Sequence, residues 1–387
     1  MRKRLIFGLA IASAMFAACS NDETVDVSVG DAIGFRTSID RATRSNIETT
    51  ASLDSFKVTA IGSNALNYFT DLMVKKQGGT WKTANTYYWP TYALQFYAYA
   101  NGPAAGKGTV TINKDGKQIT GYTPAAKAAD QKDLLVAYNS GTRATNNGTP
   151  VPLTFKHALS QIEVKAKCLN PATKIEVIGV KLVNMATKAD FTFPESVLNT
   201  TLAPLATYWS NWTDLNDPAK AYYINGQTAV TLNDSAKSIM FGENNFMVIP
   251  QQLTAWNAKL NEPAAEVNKQ GAYLAVLCRV SNVSNGNETL IYPTPTAADN
   301  KAGKYAYSAV AINTLWLPGK KYVYTLTFCG PDGGAGKIDP NPVNPGSDGT
   351  GITEVTPGTG GEDILGGPIE FTVTVDDWEN EDVAINM

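Results

Sequence analysis

One histidine, His157, occurs in the 387 residues of the sequence. That scarcity excludes histidine-based triads, His-metal clusters and the HExxH arrangement of zinc hydrolases. His157 lies between two strand-like runs, in Phe155-Lys156-His157-Ala158-Leu159-Ser160, and reads as a hydrogen-bonded turn or core residue. Cysteines number only 4, and their spacing fits no zinc pattern. Charged residues make up 17% with a net charge of −3; no stretch gathers Lys and Arg, so no nucleic-acid partner is expected. After the first residues, no apolar run approaches the ~20 residues of a membrane-spanning helix. No segment joins a cap to a sustained 3.6-residue period, so no substantial helix is expected either. GxSxG and Walker sequences are missing, and Gly330, Gly333, Gly334 and Gly336 lack the strand–turn–helix context that phosphate binding needs. Asp214, Asp217 and Asp234 have no EF-hand spacing and read as turn caps. Spacing says nothing about a two-carboxylate glycosidase, because such a pair meets only in the fold, and no residue favours one. The expectation is no enzyme, no cofactor and no metal.

Hydrophobic residues reach 43%, with 32 Gly, 20 Pro and 17 Tyr. This is enough apolar material for a real core, in a composition that favours β structure. Arg2, Lys3 and Arg4 precede an apolar run from Leu5 to Ala18, the layout of a secretory signal over residues 1–18. Ala17-Ala18-Cys19 resembles a bacterial lipobox, departing from it at Phe16, where Leu or Val is commoner. The resemblance implies lipid on Cys19 and outer-membrane lipid as a partner. The acidic Ser20-Asn21-Asp22-Glu23 that follows resembles a surface-export signal. Cys278 and Cys329 sit in strand-like runs and read as buried small hydrophobes. With Cys168 they leave at most one disulfide, and the spacing does not say which.

A short strand is predicted over 32–39, with Ile33, Phe35 and Thr37 on one face. The polar Asp40-Arg41-Ala42-Thr43-Arg44-Ser45-Asn46 follows. Alternating runs then recur, among them Phe56–Ile61, Leu94–Tyr99, Gln161–Lys167, Tyr273–Val280 and Tyr322–Phe328. The Gly-, Asn- and Thr-rich Asn139–Thr149 reads as a domain boundary. The predicted class is all-β, with two antiparallel β-sandwich domains in tandem over 45–149 and 150–329. Residues 330–367 are dense in Gly, Pro, Asp and Thr, contain no aromatic and read as a flexible linker. Residues 368–387 carry the cleanest alternation in the chain, with Ile369, Phe371, Val373 and Val375 on one face, and then an acidic tail.

Trp81, Tyr87-Tyr88-Trp89-Pro90, Tyr92, Tyr97 and Tyr99 form a dense aromatic group, fit for a sandwich core and its rim or for a glycan-binding face. Read with Leu94-Gln95-Phe96-Tyr97-Ala98-Tyr99, it resembles a signature of the fimbrillin family, the pilins of type V pili and their Mfa-like relatives. Ile33-Gly34-Phe35 followed by Thr43-Arg44, Val151–Ile162 around His157-Ala158-Leu159-Ser160, Met247–Gln251, and Trp316–Tyr324 around Pro318-Gly319-Lys320 are similar to further family segments in order. The resemblance implies transthyretin-like sandwiches and a lipoprotein precursor at the outer membrane. It also implies an arginine-specific protease that cuts between Arg44 and Ser45, removes 19–44 with the first strand, and opens a groove. Copies of the chain or related pilins then donate a strand into that groove, for which Ile369, Phe371, Val373 and Val375 are the candidates, and a fimbrium grows. The alternative is a monomeric lipid-anchored adhesin that binds glycan or host protein through its aromatics.

Overall fold

The computed structural model describes residues 31–39, 52–198, 202, 205–242, 245–258, 270–294, 304–331, 333–341, 353–354 and 358–377. The architecture is all-β. The first strands are β1 (Phe35–Ile39), β2 (Ser55–Gly62), β3 (Asn67–Gln77), β4 (Thr80–Thr83) and β5 (Leu94–Ala100). Next come β6 (Thr109–Ile112), β7 (Lys117–Tyr122), β8 (Leu135–Gly141) and β9 (Val151–His157). β10 (Ser160–Cys168), β11 (Thr173–Val183), β12 (Lys188–Thr192), β13 (Trp209–Thr213) and β14 (Tyr222–Thr231) follow. β15 (Lys237–Ser238), β16 (Phe246–Val248) and β17 (Gln251–Gln252) are short, and β18 (Tyr273–Ser284) and β19 (Asn287–Tyr292) form a hairpin. The chain closes with β20 (Lys304–Ala311), β21 (Leu315–Trp316), β22 (Lys320–Phe328), β23 (Lys337–Ile338), β24 (Thr353–Glu354) and β25 (Glu370–Asp377).

Seven strands, in the order β1-β9-β8-β5-β2-β3-β4, make the first sheet. Because successive side chains of a strand point to opposite faces, β5 splits its residues between two cores. Leu94, Phe96 and Ala98 join Phe56, Val58 and Phe155 on one face, while Tyr97 and Tyr99 join Val136 and Tyr138 on the other. The sheet curls until its two edges, β1 and β4, come together. Phe56 at the centre of the curl therefore touches Trp81 of β4 at 5.0 Å, Phe155 of β9 at 5.3 Å and Phe35 of β1 at 6.0 Å, all edge-on. The other face is covered by a four-stranded sheet in the order β13-β12-β7-β6, through Ile119, Phe191 and Trp209.

A domain boundary at 149/150 is corrected by this topology. β8 and β9 are antiparallel neighbours, and β9 is an inner strand of the first sheet. Asn139–Thr149 closes a hairpin, with a short helix at Arg143–Asn146 that Thr142 caps; its Gly and Asn serve a turn and not a linker. The first unit also takes β12 and β13 from far along the chain, anchored where the Trp209 indole donates to the Ala158 carbonyl at 2.9 Å. The sheets are not purely antiparallel either: β1–β9, β10–β22 and β20–β24 run parallel.

A second sandwich packs β15-β10-β22-β25, with β16 beside β10, against β14-β11-β18-β20-β23, with β19 and β24 alongside. Its core joins Ile162 and Val164 of β10 and Tyr324 and Leu326 of β22 to Val180 and Val276 opposite. The described parts of 330–367 are not a free linker. Ala335, Ile338 and Ile364 are buried in this core. Gly336, at φ +86°, passes so close to Ser308 that a side chain there would strike its hydroxyl. Composition misreads the segment because three well-placed apolar residues suffice to dock a strap onto a sheet.

The strap is pinned by a buried ion pair. Lys181 Nζ lies 2.6 Å from Asp339 Oδ2, with both side chains almost wholly buried. The ammonium also donates to the Asn341 carbonyl at 2.6 Å and sits 3.9 Å over the Tyr307 ring. The Tyr273 hydroxyl donates to Asp339 Oδ1 at 2.8 Å. Burial, and then the adjacent Asp339 charge, hold that phenol well above its ordinary pKa, so it stays a donor. Removing one partner of such a pair strands the other charge. Asp339→Ala is expected to cost about 3–5 kcal/mol in urea unfolding, and Lys181→Met with Asp339→Leu together less than either alone. A double variant that costs the sum of the two singles would refute the pairing.

Candidate functional site

β1 is the last stave of the curled sheet. It is built from alternation: Ile33, Phe35 and Ile39 point inward and are buried, while Arg36 and Ser38 face out. On one side it pairs in parallel with β9, from Phe35 opposite Val151 to Ile39 opposite Phe155. Just before it, Ala32 bridges Tyr88; Ile33 N donates to Tyr87 O at 2.7 Å and Trp89 N to Asp31 O at 3.0 Å. Arg143 of the β8–β9 turn reaches Asp31 at 2.5 Å. The Phe35 ring then stands edge-on to Phe56 and Phe96, at 6.0 and 5.8 Å. Taking this strand away would unpair the outer edge of β9 and open the aromatic interior to water.

The inner row has one flaw. Thr37 Oγ1 is buried and has no hydrogen-bond partner, and a hydroxyl so placed costs about 1–3 kcal/mol. Within the apolar row Ile33, Phe35, Thr37, Ile39 it is the single poorly matched position.

At the other end of the chain, β25 pairs antiparallel with β22, from Glu370 opposite Thr327 to Asp377 opposite Lys320. It is an edge strand, and its grip fades along its length. Ile369 is buried at 2% exposure, and Phe371 and Val373 are half-buried, with the Phe371 ring 6.0 Å from Tyr324. Val375 is 54% exposed. A cleft of about 330 Å³ lined by Trp256, Lys337, Ile369 and Phe371 lies under its root. In its own chain the strand therefore does not bury all four residues of its apolar face.

These features, a strand that closes an aromatic core and a loosely held strand at the far end, are set in a chain of which residues 41–340 match the fimbrillin-like family. The chain belongs to the fimbrillin-like family. Its fold is that of a fimbrial protein from Bacteroides vulgatus, at 16% identity and a TM-score of 0.51, over 90% of this chain and 99% of that one. It is also similar to a candidate cell adhesion protein from Bacteroides ovatus, at 15% identity, TM-score 0.45, over 92% and 100%. The fimbrial anchor protein Mfa2 of Porphyromonas gingivalis matches at 10% identity, TM-score 0.32, over 76% and 90%. No curated protein matches. Membership of the family supports a pilus- or adhesion-related role at the cell surface.

Within this fimbrillin-like chain, Cys19, Arg44 and Ser45 lie outside the described residues. Ile369, Phe371, Val373 and Val375 share one strand as their alternation implies, paired with β22. The aromatic group is core: Trp89, Tyr97 and Tyr99 are buried and Trp81, Tyr87, Tyr88 and Tyr92 half-buried, so no exposed aromatic platform exists among the described residues. His157 is buried, its Nδ1 2.5 Å from Asp133 Oδ2, in a structural contact between β9 and the start of β8. What the sequence reading missed is the 87–89 segment as the second wall beside β1; Tyr88-Trp89-Pro90 carries no alternation to signal it.

Substitutions along β1 give a signature that only an inward-facing row predicts. Phe35→Ala should cost about 3–5 kcal/mol in denaturant unfolding, and exposed Arg36→Ala less than about 0.5 kcal/mol. Thr37→Val should stabilise by about 1 kcal/mol. A destabilising Thr37→Val would contradict the burial of that hydroxyl.

Proposed function

We propose that the chain is a structural subunit of surface fimbriae, assembled by loss of its first strand and its replacement by the terminal strand of another subunit. In this reading the precursor is held at the outer membrane through lipid on Cys19. An arginine-specific protease cuts between Arg44 and Ser45, and β1 departs with the propeptide. The vacated groove between β9 and the 87–89 segment accepts Ile369, Phe371, Val373 and Val375 from the next copy or a related pilin.

The observation that carries the reading is a match of side chains. The inner row of β1 is Ile33, Phe35, Thr37, Ile39; the apolar row of the terminal strand is Ile369, Phe371, Val373, Val375. Position by position the donor offers the same or a similar shape, and it puts Val373 where the buried Thr37 hydroxyl lacks a partner. Val375, exposed against β22, would gain cover in the groove. A buried aliphatic or aromatic side chain contributes roughly 1.5–3 kcal/mol, so the transfer from a half-filled edge to a closed groove favours exchange. The chain between Asn341 and Pro368, if drawn out, reaches on the order of 80 Å, enough to pass to a neighbour. Donor and groove are different surfaces, so contacts of this kind are heterologous and extend into open filaments. Until cleavage, β1 keeps the β9 edge from adventitious pairing.

Phe371→Asp with Val373→Asp tests the donor directly. Trypsin-treated wild-type precursor should run as a ladder of multimers, and the double variant as a folded, shortened monomer. Wild-type yields of multimer from the variant would overturn the assignment. So would unfolding of the uncut variant, which would make the strand essential to its own sandwich.

A further inference from the structure

β10 and β22 run in parallel with Cys168 opposite Phe328, so the two strands end side by side. Strand neighbours in a sheet lie roughly 4.8 Å apart, which brings Cys329, one residue further on, within the Cα separation of about 4.4–6.8 Å that a disulfide spans. Were Cys329 extended, its side chain would point to the opposite face from Cys168. It is not: its φ is +51°, a left-handed conformation in which Gly or Asn is usual and other side chains are uncommon. That turn breaks the strict alternation of β22 at Cys329. Both cysteines pack on the same core, and each thiol is the strongest electrostatic influence on the other. The surrounding backbone is fixed as well, by Leu169 N to Phe328 O at 3.1 Å and Cys329 N to Gly334 O at 2.8 Å. Cys168 Sγ also lies 3.6 Å from the carbonyls of Asn170 and Thr173.

We infer that Cys168 and Cys329 are an oxidisable pair that forms a disulfide joining the ends of β10 and β22. The chemistry of the three described cysteines separates them. The neighbouring Cys329 lowers the Cys168 thiol below its ordinary value against the opposing effect of burial, and Cys168 together with burial holds Cys329 far above its own. The pair thus sets a thiol that gives up its proton more readily beside a resolving thiol that holds its own. Cys278 is fully buried on β18 and is pushed up to about 12, chiefly by burial, which leaves it inert. The step is thiol–disulfide exchange with a disulfide oxidant. The thiolate of the pair attacks one oxidant sulfur and the other leaves as thiolate. The second cysteine then gives its proton to solvent and displaces the mixed disulfide, so one S–S bond is made, one is broken and the oxidant ends as two thiols.

The position gives the bond a use, and this part rests on the assembly reading above. Cys329 is the root of the strap that leads to β25. A pull that frees the strap from Asp339 onward reaches β22 there, and a bond to Cys168 passes the load to β10 instead of peeling β22 away. Formation of the bond does not depend on that reading.

The test uses the full chain, equilibrated with oxidised and reduced glutathione, acid-quenched, unfolded, blocked with N-ethylmaleimide and mapped by mass spectrometry. The oxidised sample should contain one linked pair, Cys168 with Cys329, and maleimide on Cys278. Reduction should lower the Tm by roughly 5–10 °C. Cys168→Ser and Cys329→Ser should each remove both the link and the redox-dependent Tm shift, and Cys278→Ser neither. Maleimide on Cys168, Cys278 and Cys329 alike in the oxidised sample, or a link that includes Cys278, would overturn the inference. Failure of the precursor to polymerise would leave this result untouched and bears only on assembly.

Discussion

The contact between β1 and β9 carries the structure of the first unit, because a sheet that curls on itself needs a last strand to close it. Phe56 is in contact with β1, β4 and β9 at once, so the aromatic interior is shared among strands far apart in sequence. Removing β1 withdraws Ile33, Phe35 and Ile39 and unpairs a row of backbone groups on β9. Nothing else within the described residues is placed to fill that space. A chain with such a strand at its beginning is committed either to keep it or to find a substitute, and that dependence is a better guide to function than any cluster of polar groups in the molecule.

The far end of the chain complements this constraint. β25 pairs one side of its backbone with β22 but leaves Val375 in water and a cleft beneath its root. Held by one neighbour and half-packed, it is the kind of element that opens at low cost. The strap before it is different. Lys181 and Asp339 pin it to the second sandwich, so a release of the terminal strand that starts beyond Asn341 withdraws Ile364 and Ile369 but leaves Ala335 and Ile338 in that core.

How much of this was legible in the sequence follows from locality. β1 and β25 were readable because alternation is a local property: Ile33, Phe35 and Thr37, and Ile369 to Val375, each announce one face within a few residues. The aromatic group was readable as core material. The return of β12 and β13 to the first unit was not, since Phe191 and Trp209 look like any buried pair until Ile119 is seen opposite them. The parallel pairing of β10 with β22 was equally silent, and with it the meeting of Cys168 and Cys329. The strap was misread because Gly and Pro dominate its composition, while Ala335, Ile338, Asp339 and Ile364 set its position.

The central claim is that the place of β1 is a groove shaped for the terminal strand. The direct measurement is complementation: the chain is cut in the 40–51 segment, β1 is stripped away, and a synthetic peptide of residues 368–377 is titrated in while Tm is followed. The account predicts a stripped protein of lowered Tm that recovers saturably with the peptide, and does not recover with a peptide carrying Asp at 371 and 373. A stripped protein that keeps its full Tm, or one that ignores both peptides alike, would contradict it.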